Sequence, residues 1–428
     1  MNDNAPLAAP AAAAPPAKTP PRMDAVDLLR GVVIMLMALD HVRDFLSNRL
    51  YMDVTDLTIT TPGLFLTRWV THYCAPTFIF LAGVGAFLSR TRGKSKADLS
   101  WFLLTRGLWL VFLELTVIRA SWWFNWDPLQ HAVGVFWPIG WSMVVLAGLV
   151  FLPTWTVTTF GLVMIVGHNL LDTLTHDRLG VPAWVWTILH EPGNKPVGAV
   201  PTWLWTLFQN PGEETAPGII TFGTGYCLIP WMGVMAVGYG FGRLLLLEPR
   251  VRRKTLLGLG AALTAAFVLL RAANVYGDPH PWSQQPDAMF TVFSFLNCTK
   301  YPPSLLYLLM TLGPAIFALG LFDRPLGLLE PLARPIITFG RVPLFFYLLH
   351  IPLIHGAAVL CDYLRFGWSP QANGGPWDVK PDAVPSDYGI SLPMVYLVWV
   401  GVLLVLYLPC RWFAEVKRRR REAWLSYF

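Results

Sequence analysis

The densest set of chemically capable residues lies in one short stretch. It runs Asp24, Asp27 and Arg30, an uncharged run Gly31–Leu39, then Asp40, His41, Arg43 and Asp44. Imidazole titrates near neutrality, so His41 can take a proton from a hydroxyl or amine and pass one to a leaving group. Arg30 offers a permanent cation with a fork of donors suited to phosphate. On a helix, eleven positions separate Arg30 from His41, which leaves them only about 20° apart around the axis and about 16 Å apart along it. Asp27 and Asp44 fall within about 60° of the same line. Asp40 and Arg43 are spaced i,i+3 and can neutralise each other beside it. The plainer alternative is that Arg30 snorkels to headgroups while Asp40, Arg43 and Asp44 mark a membrane boundary.

A second set comes later in the chain. Arg68 and His72 are spaced i,i+4, and Pro76 comes four residues after His72. Proline has no N–H, so the carbonyl of His72 loses its helical partner and the backbone opens there. A kinked, hydrated pocket is one outcome; a packed histidine beside a structural kink is the other. Ala82, Gly83, Gly85 and Ala86 permit close helix approach just beyond. Glu114 stands alone in an apolar run, with Thr116 and Arg119 after it, and must be protonated or paired. Lys300-Tyr301-Pro302-Pro303-Ser304 precedes one apolar segment; Arg341, His350 and His355 lie along the next.

The elements that position these groups must be membrane helices. Of 428 residues, 54% are hydrophobic and only 14% charged, where a soluble domain carries about 25% charged residues. Apolar blocks such as Thr77–Leu88 and Gly401–Leu408 present no charged face to water, so lipid is their solvent. Many of the 20 Trp flank these blocks, at the depth of an aromatic belt. The expected fold is an all-α polytopic transmembrane bundle of about ten helices. The spans fall near 26–46, 64–89, 101–120, 132–152, 155–172, 222–247, 255–272, 303–322, 335–357 and 391–411, with the weakest boundary at Pro153–Thr154. The N-terminus and the run Lys417–Arg421 are placed inside, because that orientation puts well over half of the 32 basic residues on the cytoplasmic side. The Ala/Pro-rich residues 1–21 read as a disordered cytoplasmic tail, residues 22–412 as the membrane domain and 413–428 as a basic tail. The loops 173–221, 273–302 and 358–390 then face outward, and Val181–Ile188 and Pro201–Phe208 resemble helices lying in the interface.

Several function classes have no support. There is no Walker-type loop, no HExxH and no GxSxG. The five cysteines (Cys74, Cys227, Cys298, Cys361, Cys410) are scattered singly, so no metal is expected. The basic tail suits anionic lipid, not nucleic acid.

Four motifs in order carry a family resemblance: Leu39-Asp40-His41-Val42-Arg43-Asp44, Ala75 to Gly83, Lys300 to Ser304 and Gly340-Arg341-Val342-Pro343 through Tyr347. Together with Arg30, ten residues and His41 on the first helix, they resemble the transmembrane acyltransferase superfamily. Within it they are similar to bacterial members related to the catalytic domain of heparan-alpha-glucosaminide N-acetyltransferase. The resemblance implies transfer of an acyl group, typically acetyl, from cytoplasmic acyl-CoA to a hydroxyl or amine, often of a sugar, on the far side. It assigns His41 as base or acyl carrier, with Asp40 and His72 assisting and Asp40 or Asp44 fixing the His41 tautomer. Arg30, Arg341, Lys300 and Tyr301 are assigned to the acyl-CoA donor. The eukaryotic enzyme places its catalytic histidine in a loop where this chain has none, so a heparan substrate does not carry over. The expected protein is a multi-pass acyltransferase of a bacterial inner membrane, whose partners are the bilayer, acyl-CoA and a periplasmic glycan or small acceptor. A homo-oligomer stays open. The alternative is a proton-coupled secondary transporter, built on the broken helix at His72 and on Glu114. A membrane scaffold that docks a partner on the long outer loops is a third.

Overall fold

The computed structural model describes residues 23–49, 52–127, 129–199, 219–324, 327–420 and 422–428. The expected tail 1–21 and the segment Pro201–Phe208 lie outside them. Among the described residues, eight helical stretches are long and apolar enough to cross a membrane. The helix Asp24–Leu46 (α1) has the length but is excluded from that set by its own charges, and Phe136–Leu149 is shorter. The chain is thus an all-α polytopic bundle. Its inner end is the one where α1 begins, and its outer end is the opposite one.

Proline and polar residues break the chain where backbone bonds cannot continue. Pro62–Thr71 (α2) stops at His72, and Cys74–Thr91 (α3) resumes after it. The carbonyl that Pro76 leaves free accepts the Tyr307 hydroxyl at 2.8 Å, so the kink is closed by a neighbouring helix. Lys96–Leu113 (α4) passes through a π-helical turn, Glu114–Ile118, into Arg119–Trp123 (α5). Such a turn inserts an extra residue and rotates the helix beyond it, so Trp122 packs against His41. Phe136–Leu149 (α6) and Thr154–Gly167 (α7) are separate helices divided at Pro153. On the outer side come His176–Leu179 (α8) and Ala183–Leu189 (α9), the latter a helix within the expected stretch Val181–Ile188.

The remaining helices among the described residues are Leu228–Phe241 (α10), Pro249–Ala273 (α11), Ala288–Leu296 (α12), Leu305–Phe322 (α13), Glu330–Arg341 (α14), Pro343–Phe366 (α15) and Leu392–Arg419 (α16). The span expected at 335–357 is not one helix. Val342 leaves helical geometry (φ −132°, ψ 49°) and Pro343 opens the next helix, where its missing N–H and fixed φ suit a first turn. The span expected at 222–247 also starts later, since its first residues form a strand. Gln130–Val133 (β1), Gly193–Ala199 (β2) and Ile219–Thr224 (β3) make a small sheet in the order β1–β3–β2, with β1 parallel and β2 antiparallel to β3. Sequence periodicity conceals it because its strands come from three distant segments.

Glycine pairs bring the helices together. A Cβ on Gly83 would lie 2.1 Å from the Met235 carbonyl, and one on Gly238 2.2 Å from that of Phe80, so α3 and α10 touch backbone to backbone. We expect Gly83→Ala to destabilise the protein by about 1–3 kcal/mol through overpacking. A melting curve in detergent checks this, and an unchanged midpoint would contradict the crossing. The same device joins α1 to α14: a Cβ on Gly31 would meet the Ile336 carbonyl at 2.0 Å, and one on Gly340 that of Asp27 at 1.8 Å. That crossing seats Arg341 beside Asp27 and Arg30.

Candidate active site

His41 lies in the outer third of α1, half-buried. Its Nδ1 is 2.7 Å from Nε2 of His350, a fully buried residue on α15. Nδ1 of His350 faces the carbonyls of Tyr347 (2.8 Å) and Phe346 (3.2 Å), one turn back on its own helix. Trp122 meets the His41 ring edge-on at 4.9 Å, and Tyr347 does so at 6.0 Å. Trp122 itself stacks between Phe45 (5.0 Å) and the exposed Trp377 of the last outer loop (4.9 Å).

The assisting groups sit differently from the expectation. Asp40 accepts from Arg43 at 2.8 Å and from Arg68, and Asp44 accepts from Arg43 at 2.6 Å. Among the described residues, the one hydrogen-bond partner of the His41 ring is His350, so neither carboxylate holds its tautomer. His72 is buried with its ring against Tyr307 at 5.5 Å and makes no contact with the His41 ring. Among the described residues its Nδ1 has no hydrogen-bond partner.

Arg30 occupies the other end of the stripe. It donates to Asp27 (3.1 Å) and to the Gly340 carbonyl (3.3 Å), and Arg341 reaches Asp24 (3.0 Å) and Asp27 (3.7 Å). Two cavities meet here. An inner vestibule of about 1460 Å³ is lined by Arg92, Arg252, Arg324, Arg334, Arg341 and Arg411, opposed by Asp24, Asp323 and Glu330. A narrower cavity of about 330 Å³ shares Arg92 and Arg341 with it and runs past Arg30, Arg106 and Gly85 to Met37 and Tyr347. Met37 is one helical turn before His41, so the lined cavity stops about one turn short of the histidine pair, on its inner side. Ser426 and Phe428 line the same cavity, and Lys417 donates to the Phe428 carbonyl at 3.0 Å.

Lys300 and Tyr301 stand at the outer end, far from Arg30 and Arg341. Asp278 shapes their loop by accepting from the Thr299 amide (2.8 Å) and from the hydroxyls of Thr299 (3.0 Å) and Ser304 (2.7 Å). Tyr301 packs edge-on to Tyr226 at 5.3 Å. Burial works to raise the Tyr301 phenol, but Lys300 and Arg68 outweigh it and hold it below its ordinary value. Glu114 acts locally, its two oxygens accepting the amides of Gly134 (2.6 Å) and Phe136 (3.1 Å) and so capping the start of α6. His355, between the carbonyls of Ser121 and Gln371 at 2.9 Å each, ties α5 to the last outer loop. Among the described residues, no group of three or more His, Cys, Asp or Glu is placed to hold a metal ion.

Fold and site together define a multi-pass membrane protein with an arginine-lined inner cavity that stops about one helical turn short of a pair of histidines. Residues 22–272 match the family model for heparan-alpha-glucosaminide N-acetyltransferase, catalytic, and the chain belongs to that family. No curated protein matches the chain. The family is of a membrane acetyltransferase type and brings transferase chemistry with it. The matched region contains Arg30, Asp40, His41 and His72 and ends before Lys300, Arg341 and His350.

Proposed function

We propose that the protein is an acyltransferase of a bacterial inner membrane, which moves an acyl group, acetyl in the first instance, from cytoplasmic acyl-CoA to a hydroxyl or amine on the periplasmic side. The supporting observation is the cavity that runs from the arginine-rich vestibule, past Arg30, to the turn before His41. Its polar mouth suits the phosphates of CoA, and its apolar interior suits an extended pantetheine arm. The span of about 16 Å from Arg30 to His41 is of the order of that arm's length. Arg30, Arg341, Arg92 and Arg106 would hold the donor.

His41 acts as the base. The acceptor X–H attacks the thioester carbonyl, the X–C bond forms and the C–S bond breaks. The proton of X–H goes to the free nitrogen of His41 and from there to the departing thiolate, which leaves as CoA thiol. Lys300 and Tyr301, beside the Arg68–Asp40 pair at the outer end, then belong with the acceptor. The exposed indole of Trp377, stacked on Trp122 next to His41, suits the apolar face of a sugar ring. Proton-coupled transport has no comparable support, because Glu114 caps a helix and the His72 carbonyl is bonded to Tyr307.

The test is release of CoA thiol from acetyl-CoA by purified protein supplied with amino-sugar and sugar acceptors. A Cβ at Gly85 meets nothing within 4 Å, and Gly85 lines the narrow cavity. Gly85→Phe should therefore fill the donor path without disturbing the helix crossing. We expect KM for acetyl-CoA to rise about tenfold or more, a loss of about 1.4 kcal/mol of binding. Melting should stay level or rise, since leaving glycine favours a helix by about 0.5–1 kcal/mol. Unchanged donor kinetics in Gly85→Phe would remove the cavity as the donor path. Movement of labelled acceptor without chemical change would replace the enzyme reading by transport.

A further inference from the structure

We propose that His350 is the positioning residue of the transfer site, fixing the His41 tautomer so that Nε2 of His41 is the proton-accepting atom. This rests on the acyl-transfer reading for its catalytic consequence, but the tautomer follows from geometry together with the neutrality of a fully buried imidazole. A carbonyl oxygen can only accept, so Nδ1 of His350, at 2.8 Å from the Tyr347 carbonyl, must carry hydrogen. In a neutral ring the other nitrogen then holds a lone pair. Nε2 of His350 is therefore an acceptor, and at 2.7 Å the hydrogen between the two rings belongs to Nδ1 of His41. That leaves Nε2 of His41 unprotonated, on the half-buried ring of the pair.

The arrangement replaces the carboxylate that usually orients a catalytic histidine by a second imidazole, itself anchored to backbone. Asp40 does not take that role: its oxygens accept from Arg43 and Arg68, and the His41 ring bonds to His350 instead. When Nε2 of His41 takes the acceptor proton, the positive charge is shared with His350 through the Nδ1–H···Nε2 bond. Returning the proton to the thiolate restores both neutral rings, so the cycle closes without change in either residue. His350 is sealed from solvent and touches neither substrate, so its action is entirely through His41.

Nitrogen chemical shifts of the protein labelled with 15N-histidine test this without reference to turnover, His41 being assigned by its loss in His41→Ala. We expect a protonated Nδ1 and an unprotonated Nε2 for His41. His350→Leu removes the acceptor and should mix the two tautomers, lowering acyl transfer about a hundredfold, within the range for a base. In His350→Gln the side-chain amide oxygen can still accept from Nδ1, so the tautomer should be retained and the loss kept under about tenfold. A protonated Nε2 on His41 in the unaltered protein would overturn the proposal even if neither variant folded. So would an unchanged His41 tautomer in His350→Leu. The expected tautomer with no acyl transfer by any variant would leave the proposal standing and remove the enzymatic reading instead.

Discussion

His41→Ala is expected to lower acyl transfer from acetyl-CoA by about a hundredfold to ten-thousandfold, the range for loss of a positioned general base. The donor KM should change little, because Arg30, Arg341 and the vestibule lie about three helical turns away. The substitution has a structural cost as well. It strands Nε2 of His350, which is fully buried, and an unsatisfied buried acceptor costs about 1–3 kcal/mol. Melting of the detergent-solubilised protein and retained acetyl-CoA binding therefore have to accompany the rate measurement. A folded His41→Ala protein that binds donor and turns over at the unaltered rate would end the assignment. His72→Ala is the companion measurement. Its ring contacts Tyr307 but not His41, so its loss should act through packing and be much smaller in rate.

His41 is legible from sequence and its partner is not, because the two depend on different geometry. Arg30 and His41 share a stripe because eleven positions on one helix return almost to the same azimuth, and local periodicity settles that. The meeting of His41 with His350 depends on how α15 is set beside α1. That placement comes through α14, whose Gly340 and Ile336 press on Asp27 and Gly31 of α1. His350 is visible as a histidine inside an apolar span, but nothing local says which helix it faces. Asp40 misleads for a different reason: chain adjacency suggests contact with His41, yet a helix turns it about 100° away, and Arg68 of α2 takes it up.

The kink at Pro76 is legible because proline's missing N–H is a local fact; the Tyr307 hydroxyl that fills the gap is not. The break at Val342 has the same local signal in Pro343, hidden by the apolar run on both sides. The three strands are beyond periodicity, since each is short and paired only with distant segments. Motif order groups Lys300 and Tyr301 with the donor, whereas the structure sets them at the opposite end of the bundle from Arg30. The topology expected from charge also places the loop 273–302, which carries them, outside, so it is the motif grouping alone that draws them to the donor.

The largest expected loss of stability is at a residue that no motif or spacing in the sequence singles out. Arg271, near the outer end of α11, is only 1% exposed, and its guanidinium donates to the carbonyls of Phe295 (3.0 Å), His280 (3.0 Å), Ser294 (3.1 Å) and Asn297 (2.8 Å). Three of these lie in or just after α12, so one side chain satisfies carbonyls that a helix end would otherwise bury unpaired. Asp278, equally buried, stands 3.8 Å from the guanidinium while shaping the Lys300–Tyr301 loop. Arg271→Met keeps the length and apolar stem but removes every donor and leaves the Asp278 charge without its cation. Breaking a buried ionic pair costs about 3–5 kcal/mol, and the stranded carbonyls add to it. We expect a melting midpoint lowered by well over about 5 °C and, in the folded fraction, weaker acceptor saturation with the donor KM unchanged. The two readouts separate the causes. A fall in stability with intact acceptor kinetics would show that Arg271 props α12 alone, whereas loss of both ties the loop that carries Lys300 and Tyr301 to the same buried cation.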